Sequence, residues 1–256
     1  MVKTGLVSIT FRKLGVEELI EIVSKAGLDG IEWGGDVHVP HGDVEKAREV
    51  KKMSSDAGLE VAAYGSYYRL ACENELSFED VLETAVALGA PVIRVWAGNK
   101  GSAKADEAWW SAVVQESRKI ASLAEEKGIK VAYEYHDNTL TDTDISAIRL
   151  LEEVNHPNMI TYWQPPHKKS VEERIKSIKS ISKYLNNIHV FYWTQNGKRL
   201  KHPLQDAKED WVKYLQIAKN FNDEVYAMLE FVKGDKLEQF YEDAAVLKEI
   251  VSTVNS

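Results

Sequence analysis

The sequence predicts an α/β protein with one domain over residues 1–256, folded as a single (β/α)8 barrel. Short apolar segments alternate with segments of helical apolar spacing, and this alternation repeats eight times along the chain. The period is about thirty residues, and the length of 256 residues is close to the roughly 250 that this fold needs. No linker or low-complexity tract divides the chain.

The first half of the chain shows the pattern most regularly. Its predicted strands and helices are 5–11, 16–26, 30–33, 43–57, 59–64, 78–88, 91–96 and 106–127. A glycine follows each of these helices, at 27, 58, 89 and 128, as is common where a helix ends in a left-handed residue. Four strand-helix units are therefore predicted before residue 130.

The second half continues the alternation. Its predicted elements are a strand at 130–137, a helix at 144–154, a strand at 159–164, a helix at 171–185, a strand at 188–193, a polar loop at 194–207, a seventh helix, a strand at 225–231 and a helix at 237–254. An open doubly wound sheet is the alternative. No Gly-x-Gly-x-x-Gly follows the first strand and no Walker-type phosphate loop occurs, so we favour the closed barrel.

Charge and cysteine content limit the partners. The net charge of −8 and pI near 5.5 argue against nucleic acid or an anionic membrane surface as a partner. Cys72 is the single cysteine, so no internal disulfide can form, and no apolar signal region precedes the first strand. We therefore expect a cytoplasmic protein with a small-molecule substrate, and a homo-oligomer stays open.

The segment 130–137 is an apolar run that ends in charged and aromatic residues. Because side chains alternate along a strand, Glu134 and His136 should share one face, with Tyr133 and Tyr135 on the other. Ligands of parallel sheets bind at the carboxyl ends of the strands. We therefore expect an acid and an imidazole in one site.

The other predicted strand ends also carry polar or aromatic side chains among apolar neighbours. They are Glu32, Tyr64, Trp96, Gln164, His189 and Glu230. Two carboxylates, one imidazole and one amide oxygen could bind Mn²⁺, Zn²⁺ or Mg²⁺. Burying Glu134 beside Glu230 is unfavourable unless a cation neutralises them. Taken singly, Glu32 could instead pair with a neighbouring base, and Tyr64 and Trp96 could be pocket wall.

Two further groups have alternative interpretations. His167 follows Pro165-Pro166 and either starts a helix or reaches the pocket. Lys198, Arg199, Lys201 and His202 follow the seventh strand, where they hold an anionic group or form a solvated loop. A hydrolase with a nucleophilic serine or cysteine is disfavoured, because Ser66 lacks a Gly-x-Ser-x-Gly frame and Cys72 has no nearby histidine.

Several stretches carry a family resemblance. They are Gly30-Ile31-Glu32-Trp33, Ala97-Gly98-Asn99-Lys100-Gly101-Ser102, Glu134-Tyr135-His136, 138–143 and His156-Pro157-Asn158. With them, nearly the whole chain resembles the xylose isomerase-like TIM barrels, which include sugar phosphate isomerases, epimerases and 3-dehydroshikimate dehydratases. The stretches look particularly like the dehydratase branch.

The resemblance implies a divalent metal held by Glu, Asp, His and Glu at the ends of strands five to eight. Glu134, His189 and Glu230 match the first, third and fourth ligands, but Gln164 stands where the family has Asp. A neutral amide oxygen is a weaker ligand than a carboxylate, so we expect lower metal affinity. The family's His-x-Lys-Asp is also absent, since Phe191 takes the place of the lysine.

The resemblance also implies a mechanism, in which Glu134 and Glu230 act as base and acid on opposite faces of an enediolate stabilised by the metal. The residues expected to bind the substrate are Glu32, Tyr64, Trp96, His136, His167 and Arg199.

We expect a sugar isomerase or epimerase. The alternatives are a dehydratase of the 3-dehydroshikimate type and a sugar-binding barrel with altered catalysis, the latter indicated by Gln164 and Phe191. The acidic charge argues against the related endonuclease IV type.

Overall fold

The computed structural model of the chain describes residues 1–196, 198–221 and 223–256. Eight parallel strands form a closed barrel in the order β1-β10-β7-β6-β5-β4-β3-β2, and β8 and β9 form a separate two-stranded sheet. The barrel strands are β1 (Val2–Val7), β2 (Gly30–Gly34), β3 (Glu60–Arg69), β4 (Val92–Trp96), β5 (Lys130–Tyr133), β6 (Met159–Trp163), β7 (Leu185–Val190) and β10 (Val225–Leu229). The predicted (β/α)8 barrel is thus confirmed.

The α-helices alternate with the barrel strands. They are α1 (Val16–Ala26), α2 (Val44–Asp56), α3 (Phe78–Leu88), α4 (Glu107–Glu125), α5 (Asp144–Val154), α6 (Val171–Ile181), α7 (Lys208–Phe221) and α8 (Leu237–Asn255). Their starts follow local side-chain chemistry: the Ser77 hydroxyl accepts from Asp80 N, and the Thr143 hydroxyl accepts from Ser146 N. No helix of the described residues is long and apolar enough to cross a membrane.

By internal contacts the chain divides into two units, Met1–Glu32 with Met53–Glu60 and Trp163–Ser256, and Trp33–Lys52 with Val61–Tyr162. In the first unit, β1 pairs with β2 and β10, and β10 pairs with β7. In the second, β3 to β6 pair in sequence order. Because all these pairings are parallel, the strands of each unit present their carboxyl ends at one edge.

The first predicted strand was placed too late. The segment 5–11 was expected to be extended, but β1 covers Val2–Val7 and a 3-10 turn covers Ser8–Phe11. The hydroxyl of Thr10 accepts a hydrogen bond from Phe231 N at 3.1 Å and lies 3.4 Å from Leu229 O. The chain therefore turns after Val7 to bind the end of β10 instead of continuing the strand.

The predictions around β7 also differ from the structure. Leu185 was expected on helix six and the strand at 188–193, but β7 runs from Leu185 to Val190. The polar Asn187 joins this strand pairing, because its side-chain oxygen accepts from Tyr226 N at 3.2 Å. The expected loop 194–207 contains the hairpin of β8 (Trp193–Asn196) and β9 (Lys198–Lys201). The sequence here contains the pair Asn-Gly at 196–197, residue types that favour hairpins.

Strand β3 is longer than the predicted 59–64 and carries an irregularity at its carboxyl end. Gly65 pairs with Arg94, and Arg69 pairs with Trp96, so the register shifts between the two pairs. Tyr67 lies within this bulge and has a φ of 58°, in the left-handed region. The bulge displaces the side chains at this end of β3 from simple alternation.

Asp243 on α8 allows a test of the packing in the first unit. It is 4% exposed, and its Oδ1 accepts hydrogen bonds from Leu204 N at 2.9 Å and Gln239 Nε2 at 3.0 Å. Burial raises the pKa of this carboxyl from 3.8 to about 6. The protonated form is favoured in the folded state, so its contribution to stability is present below about pH 4 and lost as the pH rises through about 6.

We therefore expect Asp243→Asn to remove part of the pH dependence of stability. Between pH 4 and 7, the free energy of unfolding of the wild type should fall relative to that of the variant by about 2 kcal/mol. Urea denaturation at several pH values measures this difference. The exposed Glu45→Gln is the control, and a parallel pH profile for wild type and Asp243→Asn would contradict the prediction.

Candidate active site

A buried histidine lies between two carboxylates in the first unit. His189 Nε2 is 3.6 Å from Glu32 Oε2, and His189 Nδ1 is 3.6 Å from Glu230 Oε1. The side chains of His189 and Glu32 are 1% and 0% exposed, and that of Glu230 is 9% exposed. Strand register brings them together, since His189 pairs with Met228 on β10 and Glu32 pairs with Val7 on β1.

This arrangement suggests different tasks for the two acids. A histidine that binds a metal through one ring nitrogen usually turns the other toward a carboxylate or carbonyl, which fixes the ring. Glu32 occupies that place beside Nε2, while Nδ1 faces Glu230. The fully buried Glu32, predicted from the sequence to contact substrate, is therefore placed to orient His189.

Glu134, in the second unit, is paired with a cation of the protein. It is 4% exposed, its backbone N donates to Val95 O at 2.9 Å, and the Arg94 guanidinium donates to its Oε2. Arg94 is itself 1% exposed, and its Cζ lies 4.9 Å from the centroid of the Tyr67 ring. Glu134 thus has a protein countercharge, which the sequence argument about buried carboxylates had not considered.

Sequence reasoning missed Arg94, although a signal was present. It is the one charged residue in the apolar run 91–96, which was predicted as a buried strand. A fully buried arginine requires a partner, because burying an isolated charge is strongly unfavourable. A charge inside a predicted barrel strand should therefore have been added to the candidate site.

The structure brings three predicted metal ligands together. One potential ligand atom from each of Glu134, His189 and Glu230 lies within 4.8 Å of the other two, and all three residues are buried. Ligands about 2.1 Å from one ion are about 3 to 4 Å apart, so atoms within 4.8 Å of one another are near the spacing that a shared ion requires. The donor set of two carboxylates and one imidazole fits Mn²⁺, Zn²⁺ or Mg²⁺. Gln164 is the first residue after β6 and is 9% exposed; its role as a ligand stays a prediction.

The predicted common face of Glu134 and His136 needs correction. Strand β5 ends at Tyr133, so the alternation of a strand does not extend to these residues. Thr141 donates through its hydroxyl to Glu134 O, so a loop residue takes the place of a neighbouring strand. His136 instead stacks on Trp96, with ring centroids 4.5 Å apart. Trp96 and His136, both predicted to bind substrate, therefore form one partly buried aromatic surface.

Tyr64 is fully buried, and its hydroxyl has protein partners. It donates to Val39 O at 2.8 Å and lies 2.7 Å from His41 Nδ1. Burial raises the pKa of the Tyr64 hydroxyl and lowers that of the His41 ring. A Cβ at Gly35 would come within 2.7 Å of the same hydroxyl, so the loop after β2 packs closely here. The Tyr64 hydroxyl thus binds the segment that follows β2, and its contact with a substrate stays a prediction.

Aromatic rings from three segments meet in the first unit. The His167 ring is nearly parallel to that of Trp193 at 5.6 Å, and Phe191 stacks on Trp193 at 4.2 Å. The exposed Arg199 lies over the same indole, with its Cζ 4.7 Å from the centroid. His167 and Arg199 therefore meet at Trp193, which the sequence analysis did not single out. The side chain of Lys198 lies outside the described residues.

Comparisons with known proteins agree with this fold. Residues 20–255 match the family model of xylose isomerase-like TIM barrels. A curated 3-dehydroshikimate dehydratase from Bacillus anthracis is 29% identical over 170 residues, which cover 61% of this chain and 59% of that protein. The aligned segment thus spans less than two thirds of that relative.

Solved structures show the same architecture. The probable 3-DHS dehydratase AsbF from Bacillus anthracis, involved in petrobactin synthesis, has a TM-score of 0.81 and 22% identity over 97% of this chain and 99% of that one. D-psicose 3-epimerase, solved in the presence of D-fructose, has a TM-score of 0.74 and 16% identity over 99% and 100%. A xylose isomerase-like TIM barrel protein from Mycobacterium smegmatis, in complex with magnesium, has a TM-score of 0.74 and 14% identity over 99% and 98%.

The buried ion pair yields a stability prediction. Arg94→Met should lower the free energy of unfolding by about 3 to 5 kcal/mol, because Glu134 would stay buried without this countercharge. Adding Glu134→Gln to Arg94→Met should recover much of the loss. Urea denaturation measures both, and the exposed Arg149→Gln, which breaks pairs with Glu107 and Glu153, should have a far smaller effect, because exposed ion pairs contribute little to stability. A double variant no more stable than Arg94→Met would refute the pairing.

Proposed function

The chain belongs to the xylose isomerase-like TIM barrel family, and we propose that it is a metal-dependent isomerase or epimerase of a small polyhydroxylated carbonyl compound. The substrate class would be a sugar or a sugar-like acid. The observation that carries the proposal is the buried cluster of Glu134, His189 and Glu230, whose ligand atoms lie within 4.8 Å of one another. Buried acids near an imidazole at barrel strand ends suit proton abstraction next to a carbonyl.

Glu134, His189 and Glu230 would hold the divalent cation, and Gln164 is the proposed fourth ligand. When bound, such a cation polarises a substrate carbonyl and its neighbouring hydroxyl and so stabilises the negative charge of an enediolate. Glu32 would keep the His189 ring in place through Nε2. The protein thus supplies a fixed donor set as well as acid-base groups.

Proton transfer is assigned to the two glutamates. Arg94 holds Oε2 of Glu134, so Oε1 is the atom proposed to take the proton from the carbon beside the carbonyl. Glu230 would return a proton from the opposite face. Return to the same carbon inverts its configuration and gives an epimer, whereas return to the neighbouring carbon gives an isomer. His136 and His167 would orient the substrate oxygens.

A dehydratase is the second candidate, and one curated relative supports it. The curated relative from Bacillus anthracis, 29% identical over 170 residues, is a 3-dehydroshikimate dehydratase. The first step would be the same proton removal. The carbanion would then expel a β-hydroxyl group, which takes a proton and leaves as water.

A sugar-binding barrel with altered catalysis is supported by two residues. Gln164 supplies a neutral oxygen where the resembled family has a carboxylate, and Phe191 has no ammonium group. Phe191 is 6% exposed and packs on Trp193, so the position is filled by an aromatic contact. Such a protein would bind a ligand without exchanging its protons.

Metal analysis tests the donor set. Protein purified without chelator should contain about one divalent ion per chain, and Glu134→Gln and Glu230→Gln should each weaken Mn²⁺ binding at least about tenfold. Gln164→Asp should tighten it, because a charged ligand replaces a neutral one. Mass spectrometry of the metal content and calorimetry with Mn²⁺ give these values, with the exposed Glu83→Gln as control. Full metal content in both glutamate variants would place the ion elsewhere.

Solvent deuterium exchange tests the reaction. With Mn²⁺ in D₂O, the protein should exchange the hydrogen beside the carbonyl in a member of a panel of ketoses and cyclic keto acids. Glu134→Gln should slow that exchange at least about a hundredfold. NMR distinguishes a new epimer or isomer from an unsaturated product formed with loss of water. Metal-loaded protein that binds a panel member without exchange would favour the non-catalytic barrel.

A further inference from the structure

Arg69 is a cation at the reactive end of the second unit that the sequence analysis did not consider. It is the last residue of β3, and its Cα pairs with that of Trp96, the last residue of β4. The register shift after Gly65 brings it to this position. Because β3 and β4 are parallel, both residues lie at the carboxyl ends of their strands, where barrel enzymes bind their substrates.

The position of Arg69 is fixed by contacts on both sides of the residue. Asn74 accepts from Arg69 N at 2.9 Å through Oδ1 and donates to Arg69 O at 2.9 Å through Nδ2. The guanidinium Cζ lies 3.8 Å from the centroid of the Trp96 ring, at cation-π distance. The backbone clamp and the indole together hold the guanidinium in one place, so little side-chain freedom would be lost on binding a ligand.

The charge of Arg69 has no acidic partner among residues 1–196, 198–221 and 223–256. The guanidinium of this partly buried side chain makes no hydrogen bond or ion pair with those residues. Glu116 is an acid of the same region, but it accepts from Tyr68 Oη at 2.6 Å and Ala71 N at 2.5 Å. A partly buried cation without a countercharge is an unfavourable arrangement that an anionic ligand would relieve.

Arg149 provides an internal comparison. Its Cζ lies 3.9 Å from the Trp110 centroid, almost the same geometry as Arg69 on Trp96. Arg149, however, is paired with Glu107 and Glu153. Both arginines therefore stack on an indole. Among the described residues, Arg69 differs from Arg149 in having no carboxylate partner.

Trp96, on which Arg69 stacks, also contacts a residue of the proposed active site. Trp96 stacks on His136 at 4.5 Å, and His136 is two residues beyond Glu134, the proposed base. Both groups lie close to the centre of the same indole, so the guanidinium and the imidazole lie against its two opposite faces. The unpaired charge is thus separated by a single side chain from His136, which is proposed to orient the substrate.

We propose that Arg69 binds an oxyanion of the substrate, a carboxylate or a phosphate, so that the substrate is an anionic polyhydroxylated carbonyl compound. A guanidinium donates two parallel hydrogen bonds to either group. That the bound molecule is the substrate rests on the proposed function, whereas the anion site itself rests on the Arg69 geometry. The site selects charged members of the class over neutral sugars.

Two matched probe pairs test the proposal by calorimetry, with and without Mn²⁺. 3,4-Dihydroxybenzoate and catechol differ by a carboxylate, and ribulose 5-phosphate and ribulose differ by a phosphate. The wild type should bind the charged member of one pair about tenfold to a hundredfold more tightly than the neutral member, and that pair identifies the group. Arg69→Gln should abolish this preference without changing the affinity for the neutral member.

The controls separate a charge effect from a packing effect. Asn74 binds only the backbone of residue 69, so Arg69→Gln keeps these hydrogen bonds. Arg69→Lys should retain part of the preference, and Arg149→Gln should retain all of it. No charge preference in the wild type, or an unchanged preference in Arg69→Gln, would overturn the proposal. A preference that depends on Arg69 in protein that binds no metal and exchanges no protons would refute the proposed function and leave the anion site standing.

Discussion

The need to neutralise buried charges governs the carboxyl ends of the barrel strands. Arg94, Glu134, His189 and Glu32 are each 4% exposed or less, so water contributes little to stabilising their charges. In one unit an imidazole lies between two carboxylates, and in the other a guanidinium pairs with one carboxylate. Each of these buried charges therefore depends on its partner for stabilisation.

At the end of β3, an irregular backbone accompanies the contacts of two arginines with aromatic rings. Between Gly65 and Arg69 the register shifts, and Tyr67 and Ala71 adopt left-handed φ values of 58° and 54°. Such conformations cost on the order of 1 to 3 kcal/mol each for residues other than glycine. They accompany the placement of Tyr67 against Arg94 and of Arg69 against Trp96.

The helices were more predictable from the sequence than the strand ends. The bounds predicted for α3 and α5 equal the observed Phe78–Leu88 and Asp144–Val154, because caps and apolar spacing are local signals. Strand ends depend on distant partners, as when Thr141 binds Glu134 O beyond the end of β5. The cluster of Glu134, His189 and Glu230 followed from strand-end positions. Arg94 was marked by its charge within an apolar strand, whereas Arg69 required knowledge of the register shift at the end of β3.

The net charge of the proposed metal site also depends on the neutral side chain of Gln164. Glu32, Glu134 and Glu230 carry three negative charges when ionised, and Arg94 carries one positive charge, which leaves −2 when His189 is neutral, as a metal ligand must be. A divalent cation would cancel this remainder. An aspartate at position 164 would add another negative charge and hold the ion more strongly. In the proposed site, Gln164 would therefore lower the affinity for the ion, while the charges of the carboxylates would still attract it.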